Sequence, residues 1–284
     1  MGQLSTISAA QGDAAYAAAQ VVVETHRRIS AFLKAGVTLA QIDQFVAQQL
    51  ADQGTRSCFL GYTPSRRTLP PFPSHACLSV NECVVHGTAG YLRRPMQEGD
   101  VLKIDIGVQY KGWIGDAGWT YIFGKPSDLV LRLMNAGKQS LAAGCAELKP
   151  TNTFRDFAVA VQTIVEKKYG FHLIRGMGGH GLFNNGKPSL HGPPFVANRL
   201  PGHGESWEEE HWACEVGTLV AVEPMIAVGT GVLLDKSKAP MDQRWPEIVS
   251  DGSLSVHYEH DVLVTPSGPR ILTEGMEALP DVIT

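Results

Sequence analysis

The sequence predicts an α+β domain made of two similar halves, and three observations predict it. Each half opens with two helical segments before its strands begin, the strands are joined by tight glycine-rich turns, and no low-complexity linker divides the chain. The halves cover roughly residues 9–125 and 128–270 of a single domain spanning 1–284, although no sequence repeat accompanies the likeness in element order.

Taken in order, the Ala-rich stretch from Ala9 to Lys34 places Val22, Val23, Ile29, Phe32 and Leu33 at helical spacing, and Gly36 follows as a stop signal. Thr38 reads as the N-cap of a second helix carrying Leu39, Ile42, Phe45, Val46 and Leu50, which ends near Gln53-Gly54. The segment Thr63–Ser74 holds four prolines and is expected to be a surface loop, since proline suits neither a helix interior nor a central strand. ACLSVNECVVHG then reads as strand, Asn-Glu turn and a short strand ending at His86. The β-branched run from Val101 to Tyr110, the Lys111-Gly112 turn and the stretch from Trp113 to Ile122 make a β-hairpin. Helices are expected over Asp128–Ala146 and Thr151–Tyr169, and strands in IRGMGGHG, GTLVAVEPMIAVG and SVHYEHDVLVTPSG. An acidic insert with two tryptophans, from Gly202 to Glu215, lies between them.

Composition narrows the function. A net charge of −4, with no basic run longer than two residues, argues against nucleic acid and against a membrane surface as partners. No stretch approaches the length of a membrane span and no leader pattern opens the chain, so a cytoplasmic location is expected. Five cysteines without a CxxC pair suit reduced thiols rather than a disulfide framework or a thiolate zinc site. Any metal must therefore use oxygen and imidazole ligands.

Asp105 and Asp116 sit around the hairpin turn, where antiparallel pairing should bring them nearly opposite each other, with Cβ atoms roughly 4.5–5.5 Å apart. Either could instead belong to a turn or face water, but together they ask for a positive charge between them. Glu223 interrupts the apolar strand Leu219–Val222, Glu259 stands before Val262-Leu263-Val264, and His180 lies among glycines. Taken singly, Glu223 could pair with Arg244, Glu259 could end a strand, and His180 could sit in a turn. Four carboxylates and a histidine nevertheless match the hard ligand set of a two-ion site for Co, Mn, Fe or Zn.

In order, NECVVHG, KIDIGVQYKGWIGDAG, GMGGHG, VAVEPM and SVHYEHDVLVT resemble the five motifs of the type I methionine aminopeptidases, over nearly the whole chain. The resemblance implies the pita-bread fold, an antiparallel sheet with pseudo-twofold related halves flanked by helices. It also implies two divalent metal ions held by Asp105, Asp116, His180, Glu223 and Glu259, with Asp116 and Glu259 shared, and Glu223 as general base. His86 matches the histidine beside the scissile peptide, and His191 the second substrate-contacting histidine. Phe59, Tyr62, Cys77, Leu190 and Trp245 would line the methionine pocket, with Phe59 and Leu190 departing from the usual residues there. The long loops after Tyr62 and from Gly202 to Glu215 would reshape its mouth. The implied partner is a peptide or nascent protein N-terminus; the ribosome is a candidate partner on which the sequence does not decide. The competing readings are an Xaa-Pro aminopeptidase or prolidase-like hydrolase on the same fold, and a metal-free peptide-binding module.

Overall fold

The architecture comes from a computed structural model that describes residues 4–64 and 69–284. Helix α1 (Ala9–Phe32) starts in a reciprocal capping box between Ser8 and Gln11, and α2 (Leu39–Asp52) in a second box between Thr38 and Gln41. Strand β1 is a two-residue edge (Arg56–Ser57). The Asn-Glu turn joins β2 (Cys77–Val80) to β3 (Cys83–Val85), and the hairpin consists of β4 (Val101–Tyr110) and β5 (Trp113–Phe123). Its two-residue turn puts Lys111 at φ 49° and Gly112 at φ 85°, the left-handed pair that a tight hairpin requires.

The second half repeats the plan. Ser127 caps α3 (Asp128–Glu147), and α4 (Phe154–Gln162) continues as a π-helical turn over Thr163–Lys168. The helix expected from Thr151 begins only at Phe154, because Thr153 and Asp156 form its capping box. The strands that follow are β6 (His172–Leu173), β7 (Gly178–Asn184), β8 (Lys187–Ala197), β9 (Leu219–Val222) and β10 (Met225–Ala227). The chain closes with β11 (Glu247–Ile248), β12 (Ser255–His257), β13 (His260–Thr265), β14 (Gly268–Ile271) and β15 (Val282–Ile283).

Two sheets carry the site. The first runs β1-β4-β5-β15 with β2 also on β4, and the second runs β14-β13-β9-β7-β8. The pair β15 on β5 is parallel and all the others are antiparallel, so the first sheet is mixed and the second purely antiparallel. The two meet where the bend at Tyr258-Glu259 lies along β5: Glu259 N donates to Gly118 O at 2.9 Å, and Asp116 N donates to the Asp261 carboxylate at 2.8 Å.

Helices cover the outer faces. α1 approaches β5 backbone to backbone, since a Cβ on Gly115 would lie 2.6 Å from Ala18. α3 seats Gly137 directly against the Tyr258 ring in the same way. One apolar cluster joins Val22 and Ile29 of α1, Ile104 and Trp119 of the hairpin, and Leu133, Val222 and Val262 of the second half. Burial of this kind contributes about 25 cal/mol per Å² of apolar surface, and here it holds the inner strand faces at a set separation. Among the described residues, no helix is long and apolar enough to cross a membrane.

Candidate metal centre

The hairpin brings both aspartates to one face, but on a diagonal. With Lys111-Gly112 occupying the turn, Asp105 pairs with Gly118 and Asp116 pairs with Gly107, so the two are not opposite each other as their spacing suggests. Diagonal neighbours on one face are roughly 7–8 Å apart at Cα. Each aspartate thus faces a glycine, and space for a ligand remains between the two carboxylates.

The second half supplies the rest from three strands. His180 lies within β7 rather than in a turn, and pairs with Ala221 of β9. Its glycine neighbours are required by close backbone approach: a Cβ on Gly179 would lie 2.2 Å from Ala221 O, and one on Gly181 2.0 Å from Pro193 O. Glu223 follows β9 directly, and continuing the β9–β13 register places Glu259 across from it. Arg244, the alternative partner for Glu223, instead donates to the carbonyls of Ser237 and Ala239.

The functional atoms converge. His180 Nε2 lies 4.0 Å from Asp116 Oδ2 and 3.7 Å from Glu223 Oε1. His257, which the sequence reading did not single out, places Nε2 3.4 Å from Glu223 Oε2 and 3.7 Å from Glu259 Oε2. Two sets of ligand atoms result, Asp116–His180–Glu259 and Asp105–His257–Glu259, each within 4.8 Å and sharing Glu259. Asp116 and Glu259 are 2% exposed and Glu223 is 9% exposed. Burial, reinforced by the neighbouring acids, raises the carboxyls of Asp116, Glu223 and Glu259 well above the ordinary range. Burial and Glu223 push Asp105 up to about 8. Burial holds the imidazoles of His180 and His257 down, each to about 3, so their nitrogen lone pairs remain available.

Asp105 Oδ1, Asp116 Oδ1, His180 Nδ1 and both ring nitrogens of His257 have no hydrogen-bond partner among the described residues. Buried polar atoms left this way are costly unless a ligand satisfies them. Carboxylates and neutral imidazoles in two sets with a shared glutamate fit a dinuclear centre of divalent cations. Asp261, also overlooked in the sequence, fixes the Asp116 backbone through the bond described above. The available signal for His257 and Asp261 was their two-residue spacing from Glu259 on either side, which in a strand puts all three on one face.

A cavity of about 250 Å³ opens onto this cluster. Its apolar wall contains Phe59, Tyr62, Cys77 and Trp245, together with Leu69 and Phe72. Cys77 is the register partner of Asp105, so the wall begins at the carboxylates. Phe59 packs against Gly107, where a Cβ would meet its ring at 2.5 Å. Leu190 packs in the same apolar cluster but lines the neighbouring groove with Cys58 and Leu60, behind Tyr62.

The two loop expectations part. The Pro-rich segment is more than a surface loop and reaches the pocket, in line with the expectation for the long loop after Tyr62: Phe72 is 3% exposed, and Trp245 Nε1 donates to Pro70 O at 3.0 Å. Residues 65–68 of that segment lie outside the described residues. The acidic insert packs away from the cavity, with Trp207 Nε1 donating to Phe195 O at 3.0 Å and Glu210 pairing with Arg155 of α4. His86 and His191 both line the cavity. His86 sits at φ 56° just after β3, 6.0 Å ring to ring from Trp245. His191 stands edge-on to His180 at 4.5 Å and to Tyr62 at 4.8 Å.

Fold and site together define a pita-bread metallohydrolase with an exopeptidase-like pocket. Residues 13–266 match the model of metallopeptidase family M24. A methionine aminopeptidase 1 of Mycobacterium tuberculosis is 34% identical over 274 residues, covering 94% of each chain. The solved methionine aminopeptidase of Rickettsia prowazekii superposes with a TM-score of 0.83 at 25% identity, covering 95% of this chain and all of that one. An Xaa-Pro dipeptidase of Bacillus anthracis shares the fold at TM-score 0.69 and 20% identity, but this chain covers only 62% of it. The chain belongs to metallopeptidase family M24 and, within it, to the methionine aminopeptidases.

Proposed function

We propose that the chain removes the N-terminal methionine from peptides or nascent proteins, as one cytoplasmic catalytic unit. The single observation that carries this is the junction of a small apolar pocket with the carboxylate–imidazole cluster. At about 250 Å³ the cavity is smaller than the ~300–1,000 Å³ typical of ligand sites, which suits one side chain rather than an extended peptide. An unbranched thioether fills an irregular space between Phe59, Tyr62, Phe72 and Trp245 well, and sulfur on aromatic edges is favourable. Five free cysteines fit a reducing compartment.

Asp105, Asp116, His180, Glu223 and Glu259 would hold two ions, drawn from Mn, Fe, Co or Zn by the oxygen and imidazole donor set. When bound, such ions polarise the scissile carbonyl and make water acidic enough to act at neutral pH. The chain's own groups do the remainder. Glu223 lines the pocket, and its carboxylate, ionised when cations neutralise the neighbouring acids, accepts the proton of the attacking water and passes it to the leaving amine. His86 and His191, on the cavity wall, hydrogen-bond the peptide as its carbonyl becomes tetrahedral. The apolar wall fixes the substrate side chain, so that only the first peptide bond lies over the cluster.

The test is the rate of N-terminal residue release from peptides Xaa-Gly-Met-Met and Xaa-Pro-Gly, with each metal added to metal-free protein. Metal-dependent release of methionine in preference to other residues is expected. Preferential cleavage before proline, or tight peptide binding without turnover under any metal, overturns the assignment.

A further inference from the structure

The geometry points to His257 as an additional metal ligand, its Nε2 binding the ion that Asp105 and Glu259 hold, so that each ion of the centre has one imidazole. This rests on the dinuclear reading above and extends it to a residue outside the five ligands assigned there.

His257 is 1% exposed, and neither ring nitrogen has a partner among the described residues. A histidine retained for packing normally satisfies both nitrogens when buried, because each unpaired one costs desolvation. Its Nε2 faces Glu223 and Glu259 at 3.4 and 3.7 Å, beyond good hydrogen-bond length but suited to atoms that converge on a common cation. The two ligand sets then mirror each other: Asp116 with His180, and Asp105 with His257, about the shared Glu259.

Its position is preset by backbone. Thr120 Oγ1 donates to His257 O at 2.6 Å and accepts from His257 N at 3.1 Å, which ties β12 to β5 from both sides. The ring lies over Gly118, where a Cβ would come within 2.7 Å of its Cε1 and 3.2 Å of Glu259 Oε2. Any other residue at 118, directly across from Asp105, would occupy the space into which His257 and Glu259 project. Ligands held this way need little rearrangement on binding.

Two measurements on metal-free full-length protein titrated with Co(II) test the assignment. Calorimetry should give two ions per wild-type chain. Proton NMR of the loaded protein should show two hyperfine-shifted, solvent-exchangeable imidazole N–H signals, one for His180 and one for His257. In His257→Gln, the number of tightly bound ions per chain should fall to one. The second dissociation constant should rise by more than about 100-fold, beyond the 10–100-fold that loss of an outer-shell partner causes, and one N–H signal should disappear. Metal-free His257→Gln should unfold at the wild-type temperature, since no hydrogen bond to the ring is lost. A wild-type spectrum with a single imidazole N–H at two bound ions overturns the inference even if the variant does not fold. So does a variant that binds both ions with unchanged affinity. Fewer than two ions in the wild type would instead reject the dinuclear reading itself.

Discussion

Strand β5 carries a buried histidine against each of its faces, and the two are opposites. On the outer face His26 of α1 is 0% exposed and fully satisfied, with Nδ1 3.0 Å from the Tyr121 hydroxyl and Nε2 3.1 Å from Ala117 O. On the inner face His257 is equally buried, is flanked by Gly118 and Thr120, and has neither nitrogen engaged. The same side chain at the same depth is structural on one face and reactive on the other. Burial alone therefore does not separate core from site; unpaired polar atoms directed at one another do. The outer face spends its polar groups on folding, while the inner face holds a cluster of acids whose charged forms folding disfavours.

The largest effect should come from the inner face. Glu223→Gln is expected to lower kcat by about 10²–10⁴-fold, as loss of a positioned base does, while metal-free stability stays the same or rises because one buried acid is gone. Steady-state kinetics beside metal-free thermal unfolding checks both halves of that statement, and a large stability loss would erase the contrast between the faces. The complementary change, His26→Ala, should cost about 3 kcal/mol of stability through a cavity and two stranded partners. Its kcat per folded molecule, measured well below the melting temperature, should match the wild type.

The outer histidine also gives a pH signature. Burial lowers His26 from 6.5 to about 4, so at acidic pH the unfolded chain binds a proton that the folded chain refuses. Stability from this group is complete above pH 6.5 and falls as pH drops toward 4, by about 3 kcal/mol in all. Denaturant unfolding of His26→Gln against wild type should show that increment vanish from the difference between them. The smallest expected change is Thr120→Val, which removes the hydroxyl joining β5 to the His257 backbone. About 1 kcal/mol of stability should go, with the second metal dissociation constant, read by calorimetry, weakened about tenfold.

Much of this was visible in the chain. Both opening helices could be read because Thr38 supplies an N-cap and the apolar spacing holds over several turns, and the hairpin because Lys111-Gly112 admits one tight turn. The five assigned ligands stood out as carboxylates and a histidine inside apolar or glycine-rich strands, where such residues are expensive without a shared counter-charge. Leu190 could not be placed as well: a strand residue beside a pocket and one behind its wall have the same local sequence. The Pro-rich segment was legible as irregular and as a loop at the pocket mouth, but not which of its residues turns inward: Phe72 is held there by backbone pairing with Gly61 and Tyr62 and by the long-range packing of Trp245.

The chain by itself determined the element order, the antiparallel hairpin and the chemical kind of the site, because these depend on periodicity, turn chemistry and the cost of burying charge. The diagonal of the two aspartates follows from the same local turn, since Lys111-Gly112 sets Asp105 across from Gly118. Only the tertiary structure decided that His257 and Asp261 join the cluster, and that the acidic insert packs away from the pocket. The first of these depends on how the segment around Tyr258-Glu259 docks along β5, a pairing between residues some 140 positions apart that no local pattern encodes.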